Sequence, residues 1–292
     1  MRSARLFLLA ITAVGAIAIP AARAADAGPT VSLVKMPYRG ERNLPDLSDS
    51  PDYLEAGRLA KLVERQGCRL RPVATVTLSP DEKKAYGEWN RLGLANGQLA
   101  RVVASEVREG GFPVGLLANC SSIMGMLGGM PVAISAGLCL TRLRLKSGLD
   151  PALPERHIVL AAARDLDPLE QDLLDRSAVE RLSVEDIKTR SPGIAAQMKR
   201  LEGLTDVIYV HVDMDVLDPP EVRGHPLTVP GGPTSLELAA ALTEMFRCPK
   251  AAAFGVASTP SGDQDRDGKS RQAAYNLVLG ALKGVQQRAG AR

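Results

Sequence analysis

Short apolar runs alternate with segments of helical spacing along most of this chain, and that alternation restricts the fold more than any other feature. Residues 31–34, 70–78, 114–118, 157–163, 179–183, 206–212 and 251–256 read as strands. Between them, residues 53–66, 79–107, 131–143, 167–175, 194–201, 236–246 and 272–287 carry helical spacing. Ser79-Pro80 supplies a helix cap and a first-turn proline, and Ser183 supplies another cap. Strands that alternate with helices predict a three-layer α/β/α domain with a mostly parallel sheet. Proline and glycine are dispersed, so residues 25–292 read as one domain without an internal linker.

The first residues read differently. Arg2 and Arg5 precede the apolar run 6–19, and Ala22-Arg23-Ala24 has the small-residue pattern of a cleavage site. Residues 1–24 are therefore expected to be a signal peptide outside the fold, and the protein is expected to be periplasmic or secreted. Removing them takes away Arg2, Arg5 and Arg23 and no acid, which lowers the basic count from 36 to 33 against 33 acids. A near-neutral chain gives no electrostatic case for nucleic acid or an anionic membrane. Cys68, Cys120, Cys139 and Cys248 are widely spread, which is compatible with disulfides or with buried free thiols.

The stretch "HVDMDVLDP" ends the strand 206–212 with Asp213, Asp215 and Asp218. Each buried carboxylate costs several kcal/mol unless a positive charge compensates it. In parallel sheets, ligands collect beyond the carboxyl ends of the strands, which is where Asp213 and Asp215 fall. Their oxygens suit a hard or borderline cation such as Mg²⁺ or Mn²⁺. Asp218, before Pro219, reads as a turn cap. A second acidic stretch, "SGDQDRDGKS", has the order of a calcium loop at Asp263, Asp265 and Asp267, but Ala274 stands where the bidentate glutamate belongs. A solvated polar loop is the expectation there.

The longer stretch "HVDMDVLDPPEVRGHPLTVPGGPTSLELAAAL" resembles the signature of the arginase, agmatinase and formiminoglutamase family. "GGFPVGLLANCSSIMGML", "HIVLAAARDLDPLE" and "AFGVASTPSGD" resemble three further family segments. The resemblance implies an arginase/deacetylase-like fold, two Mn²⁺ ions and hydrolysis of a linear amidine or guanidino C–N bond in a small molecule. A homo-oligomer is compatible with it. It makes Asp213 and Asp215 metal ligands. It sets Cys120 at a metal-binding histidine position, where a thiolate would favour a softer ion. It sets Ser258 at the position of a substrate-binding glutamate. A neutral hydroxyl there speaks against arginine or agmatine as substrate.

The sequence also departs from the pattern by omission. The family's central D-A-H-x-D strand is missing, and residues 126–130 join its flanks directly. Loss of a middle strand should either let its neighbours re-pair across the seam or damage the sheet. The three histidines are His157, His211 and His225. His211 is expected to be a satisfied structural residue; His225 is expected to lie on the surface loop after the motif, from which it could reach a metal. Two readings stay open: an arginase-family hydrolase with an impaired site, and a non-catalytic relative that kept the scaffold for binding or structure.

Overall fold

In the computed structural model, which describes residues 9–14, 28–38, 49–118, 120 and 130–289, nine strands form one sheet. They are β1 (Leu9–Val14), β2 (Thr30–Met36), β3 (Arg69–Leu70), β4 (Ala74–Thr75), β5 (Phe112–Leu117), β6 (Ile158–Ala161), β7 (Glu180–Leu182), β8 (Val207–Asp213) and β9 (Ala251–Ala257). The order is β3-β2-β5-β9-β8-β1-β6-β7, with β4 also beside β2. All pairings are parallel except those of β1.

The helices follow from the alternation of buried side chains. On β8, Ile208, Val210 and Val212 are buried with Ile194, Met198 and Leu201 of α9 (Pro192–Leu204) and Leu238 and Leu242 of α10 (Ser235–Met245). Leu277 and Leu282 of α11 (Lys269–Ala289) join the same cluster. The opposite face is covered by α4 (Glu88–Arg108), where Ala95 and Leu99 meet Val34 and Met36 of β2. Farther along that face, Val132 of α5 (Met130–Ser135) meets Ile158 and Leu160 of β6. Each such fully buried aliphatic side chain contributes about 1.5–3 kcal/mol. The result is the expected three-layer α/β/α sandwich.

Tertiary contacts break several predicted elements. The helix expected over 53–66 is divided into α1 (Ser50–Ala56) and α2 (Leu59–Arg65). At Gly57 between them, a Cβ would lie 2.0 Å from the Tyr275 hydroxyl, which donates to Leu54 O at 3.0 Å. The strand expected over 70–78 shrinks to parts of β3 and β4, with Pro72 between them lacking an N–H for the ladder. The helix over 131–143 gives way to α5 and α6 (Thr141–Lys146), separated by left-handed turns at Gly137 and Leu140. Among the described cysteines all four are free. Residue 119 and residues 121–129, which include most of the join at 126–130, lie outside the described residues.

The N-terminal run departs most from expectation. Residues 1–24 were expected outside the fold, yet Leu9–Val14 is a strand of the sheet. It pairs antiparallel with β8 from Leu9↔Val212 to Val14↔Val207, and with β6 from Leu9↔Ala161 to Thr12↔Ile158. The seam is thus neither re-paired nor left open; another strand occupies it. The physical reason is hydrogen bonding: β6 and β8 would otherwise present unpaired N–H and C=O groups in the middle of a covered sheet. An apolar run with Ile11, Thr12 and Val14 satisfies both edges.

Candidate functional site

Register brings the site together. β5, β9 and β8 are neighbours, with Leu117 level with Ala257 and Ala257 level with Asp213. Residues just past those positions therefore meet at the carboxyl edge of the sheet. Asp213 ends β8, and Asp215 sits in the 3-10 turn Met214–Val216 that follows. Ser258 follows β9 with φ of 62°, an unusual backbone conformation for a residue other than glycine, and its N–H donates to Leu117 O at 3.3 Å.

Three buried groups converge there. Asp213, Asp215 and His225 are 6, 4 and 5% exposed, and one ligand atom from each lies within 4.8 Å of the other two. Asp213 Oδ1, Asp215 Oδ1 and His225 Nε2 are buried and have no hydrogen-bond partner. Burial raises the Asp213 carboxyl to about 6, against the pull of its Ser258 and Cys120 neighbours, whose side chains hydrogen-bond to it. Burial, and then the charge of Asp213, raises Asp215 well above the usual carboxylate range. Burial lowers the His225 imidazole to about 4. Two carboxyls that resist ionising and a ring that resists protonation form a site short of positive charge.

The loop that carries the acids is fastened from its backbone. Arg164 donates to the carbonyls of Val216 at 2.9 Å, Asp215 and Leu217 at 3.2 Å, and Val229 at 2.9 Å. These bonds go to main-chain oxygens, and the carboxylate oxygens Oδ1 of Asp213 and Asp215 stay unpartnered. Gly232 packs so tightly that a Cβ would lie 2.6 Å from Val216 O and 2.7 Å from the Arg164 guanidinium. Asp218 caps the turn as expected, accepting from the Gly231 amide at 2.7 Å. Thr234 and Glu237 then form a capping box that starts α10. The run "DPLE" at 167–170 is likewise a capping box, which begins α7 (Pro168–Arg176).

The other candidates fall as follows. Cys120 is part-exposed as a residue, but its sulfur is enclosed beside Asp213, and burial and then the two aspartates push the thiol well up. Ser258 places its hydroxyl on Asp213. His225, expected on the surface, is buried against the acids. His211 is buried with Nδ1 3.0 Å from the Tyr209 hydroxyl, but its Nε2 has no partner, so it is satisfied at one nitrogen only. Sequence reasoning missed the role of Arg164 and the burial of His225. The signals were Arg164 at a strand's carboxyl end and a histidine between Gly224 and Pro226 soon after the acids. The second acidic loop uses its own carboxylates. Asp265 is 4% exposed and accepts from the amides of Ser270 at 2.8 Å and Arg271 at 2.9 Å and from the Tyr53 hydroxyl at 3.0 Å. It is a helix cap, neither a calcium ligand nor a solvated acid.

The arginase family model matches residues 123–283. The chain belongs to the arginase family. An arginase of Brevibacillus brevis is 30% identical over 123 residues, which is 40% of this chain and 40% of that enzyme. An arginase of Bacillus caldovelox is 25% identical over 255 residues, covering 74% of this chain and 78% of that enzyme. The crystal structure of arginase from Bacillus subtilis superposes with a TM-score of 0.74 at 19% identity, over 87% of this chain and 98% of that one. That likeness carries the fold: this member of the family keeps the arginase sandwich, with β1 in its middle.

A two-Mn²⁺ centre does not fit the donors present. Among the described residues the site offers Asp213, Asp215 and His225, with the Cys120 sulfur beside them. The three clustered residues can face one ion, whereas a bridged pair of oxygen-seeking ions needs more carboxylates.

Proposed function

We propose that this member of the arginase family is a metal-dependent hydrolase of a C–N bond in a linear, non-peptide small molecule. The observation that carries the reading is the pair of buried carboxyls, Asp213 and Asp215, with unpartnered oxygens at the carboxyl edge of an arginase sheet. A divalent cation held by Asp213 and Asp215 would supply a Lewis acid and an acidified water. The chain's own contribution is placement. Arg164 and Gly232 fix the acidic loop, the register of β5, β8 and β9 sets Cys120 and Ser258 against Asp213, and the sheet excludes solvent from below. With a neutral Ser258 on Asp213, the site offers no anion at that position for a guanidinium. This favours a formimino or amide-like substrate over arginine or agmatine. The basic n-region, apolar run and Ala22-Arg23-Ala24 support export to the periplasm or medium.

A panel of guanidino, formimino and linear amide compounds tests the activity, with urea, formamide and ammonia release as readouts and Mn²⁺ or Zn²⁺ supplied. Release from at least one compound, abolished by Asp213→Ala, is expected. No release from any compound with either metal would leave a binding or structural protein on an arginase scaffold.

A further inference from the structure

We infer that this chain binds a single borderline divalent cation of the Zn²⁺ class, held by Asp213, Asp215 and His225 with the Cys120 sulfur as fourth donor. The inference rests on the reading of Asp213 and Asp215 as cation ligands, and adds the number of ions, their chemical class and a ligand that the sequence pattern did not assign. Three observations carry it. Donor atoms of the three residues lie within 4.8 Å of one another. Each residue buries one polar atom with no partner: Oδ1 of Asp213, Oδ1 of Asp215 and Nε2 of His225. The neighbouring guanidinium, Arg164, gives its hydrogen bonds to main-chain carbonyls, and its charge only partly offsets the burial of Asp215.

His225 is held there by its own turn. Its N–H donates to Val222 O at 2.9 Å, and the Thr228 hydroxyl donates to its carbonyl at 3.4 Å. Gly224 lets the turn close on the second acidic loop, since a Cβ would lie 2.1 Å from Gln264 O. The Leu227 amide donates to Nδ1 at 3.2 Å, which places the ring proton on Nε2 in the metal-free chain. A cation at Nε2 takes the place of that proton. The proton moves to Nδ1, and the long Leu227 bond is released.

The donor set selects the metal. Two carboxylate oxygens, one imidazole nitrogen and one thiolate, its proton released to solvent as the cation binds, would suit tetrahedral Zn²⁺, whereas Mn²⁺ prefers six oxygen-rich positions. The Cys120 sulfur is close enough to hydrogen-bond the Asp213 carboxyl, so closing the fourth position needs only a local movement.

The test uses the full chain stripped by chelation, then dialysed against Zn²⁺ or Mn²⁺ and counted by mass spectrometry. One Zn²⁺ per chain is expected, bound about 100-fold more tightly than Mn²⁺. His225→Gln and, as a second variant, His225→Asn should each weaken Zn²⁺ at least about 10-fold while the metal-free melting temperature holds. Co²⁺ in place of Zn²⁺ should show a sulfur-to-metal absorption band that Cys120→Ser removes. The Leu227 amide resonance should move on Zn²⁺ binding and stay still in His225→Gln. Two Mn²⁺ per chain, no preference for Zn²⁺, no bound metal at all, or an affinity indifferent to His225 overturns the inference. One bound Zn²⁺ without hydrolysis of any panel compound leaves this inference standing and removes the enzymatic reading; hydrolysis with two Mn²⁺ does the reverse.

Discussion

Two loops of this chain carry aspartates in alternating order, and they use them in opposite ways. In the loop at 263–268, Asp265 is buried and organises its surroundings with its own oxygens, taking two amides of α11 and the Tyr53 hydroxyl. Its neighbours serve locally: Asp263 pairs with Arg266 at 3.2 Å, and Asp267 accepts from the Lys269 amide at 3.2 Å. In the loop at 213–218 the organising is done from outside, by Arg164 on the main-chain carbonyls. Asp213 still takes hydrogen bonds from Ser258 and Cys120, yet its Oδ1 and that of Asp215 keep no partner. Both loops match a D-x-D pattern; only the second has atoms left to hold a ligand. The difference teaches that a buried acid is informative about binding when another group has already satisfied the backbone around it.

The comparison can be broken most sharply at Arg164. Arg164→Ala strands several buried carbonyls, and the urea midpoint of the metal-free protein should fall by the equivalent of about 4 kcal/mol. A small loss there would mean that the acidic loop holds itself.

Next comes pH. Asp213 is raised from 3.8 to about 6 in the folded chain. A raised carboxyl favours folding below its unfolded value, and that favour is lost as pH climbs through the folded one. Metal-free stability should therefore fall between about pH 4 and pH 6 by roughly 3 kcal/mol, at about 1.4 kcal/mol per pH unit. Bound cation should flatten this slope, as followed by thermal melts across the range. A flat profile without metal would contradict the burial of the pair.

Asp265→Ala removes a cap and a buried acceptor, and should cost about 2 kcal/mol by denaturant titration, with metal binding unchanged. Asp213→Asn goes the other way. It relieves two buried carboxyls of mutual repulsion, and should stabilise the metal-free chain at neutral pH by about 1 kcal/mol while destroying metal binding. The half-exposed Asp267 sets the floor: Asp267→Asn should stay within about 0.5 kcal/mol in the same assay.

Much of the sandwich was legible because periodicity and capping are local. Ser79 and Ser183 cap their helices through capping boxes as their sequences indicate. The strands from 112 to 257 lie within a few residues of their apolar runs. What stayed hidden depended on distant contacts. Tyr275 divides a helix more than two hundred residues upstream at Gly57. His225 sits in a polar loop sequence and is buried because Gly224 closes on Gln264, a contact that no local pattern announces. Cys120 and Ser258 were reached through the resemblance alone, since the register that unites them spans three strands far apart in the chain. Leu9–Val14 kept its pairing with β6 and β8 hidden for the same reason. Its apolar run reads locally as a leader, and only the vacancy between β6 and β8 gives it a seat.

That seat would make any cleavage after Ala24 an architectural event. Among the described residues, β1 is the strand that links the β3-β2-β5-β9-β8 group to the β6-β7 pair. A peptidase acting after Ala24 on a folded chain would cut loose the bridging strand. Its departure would turn a continuous sheet into two separate ones, each with a fresh edge facing the other.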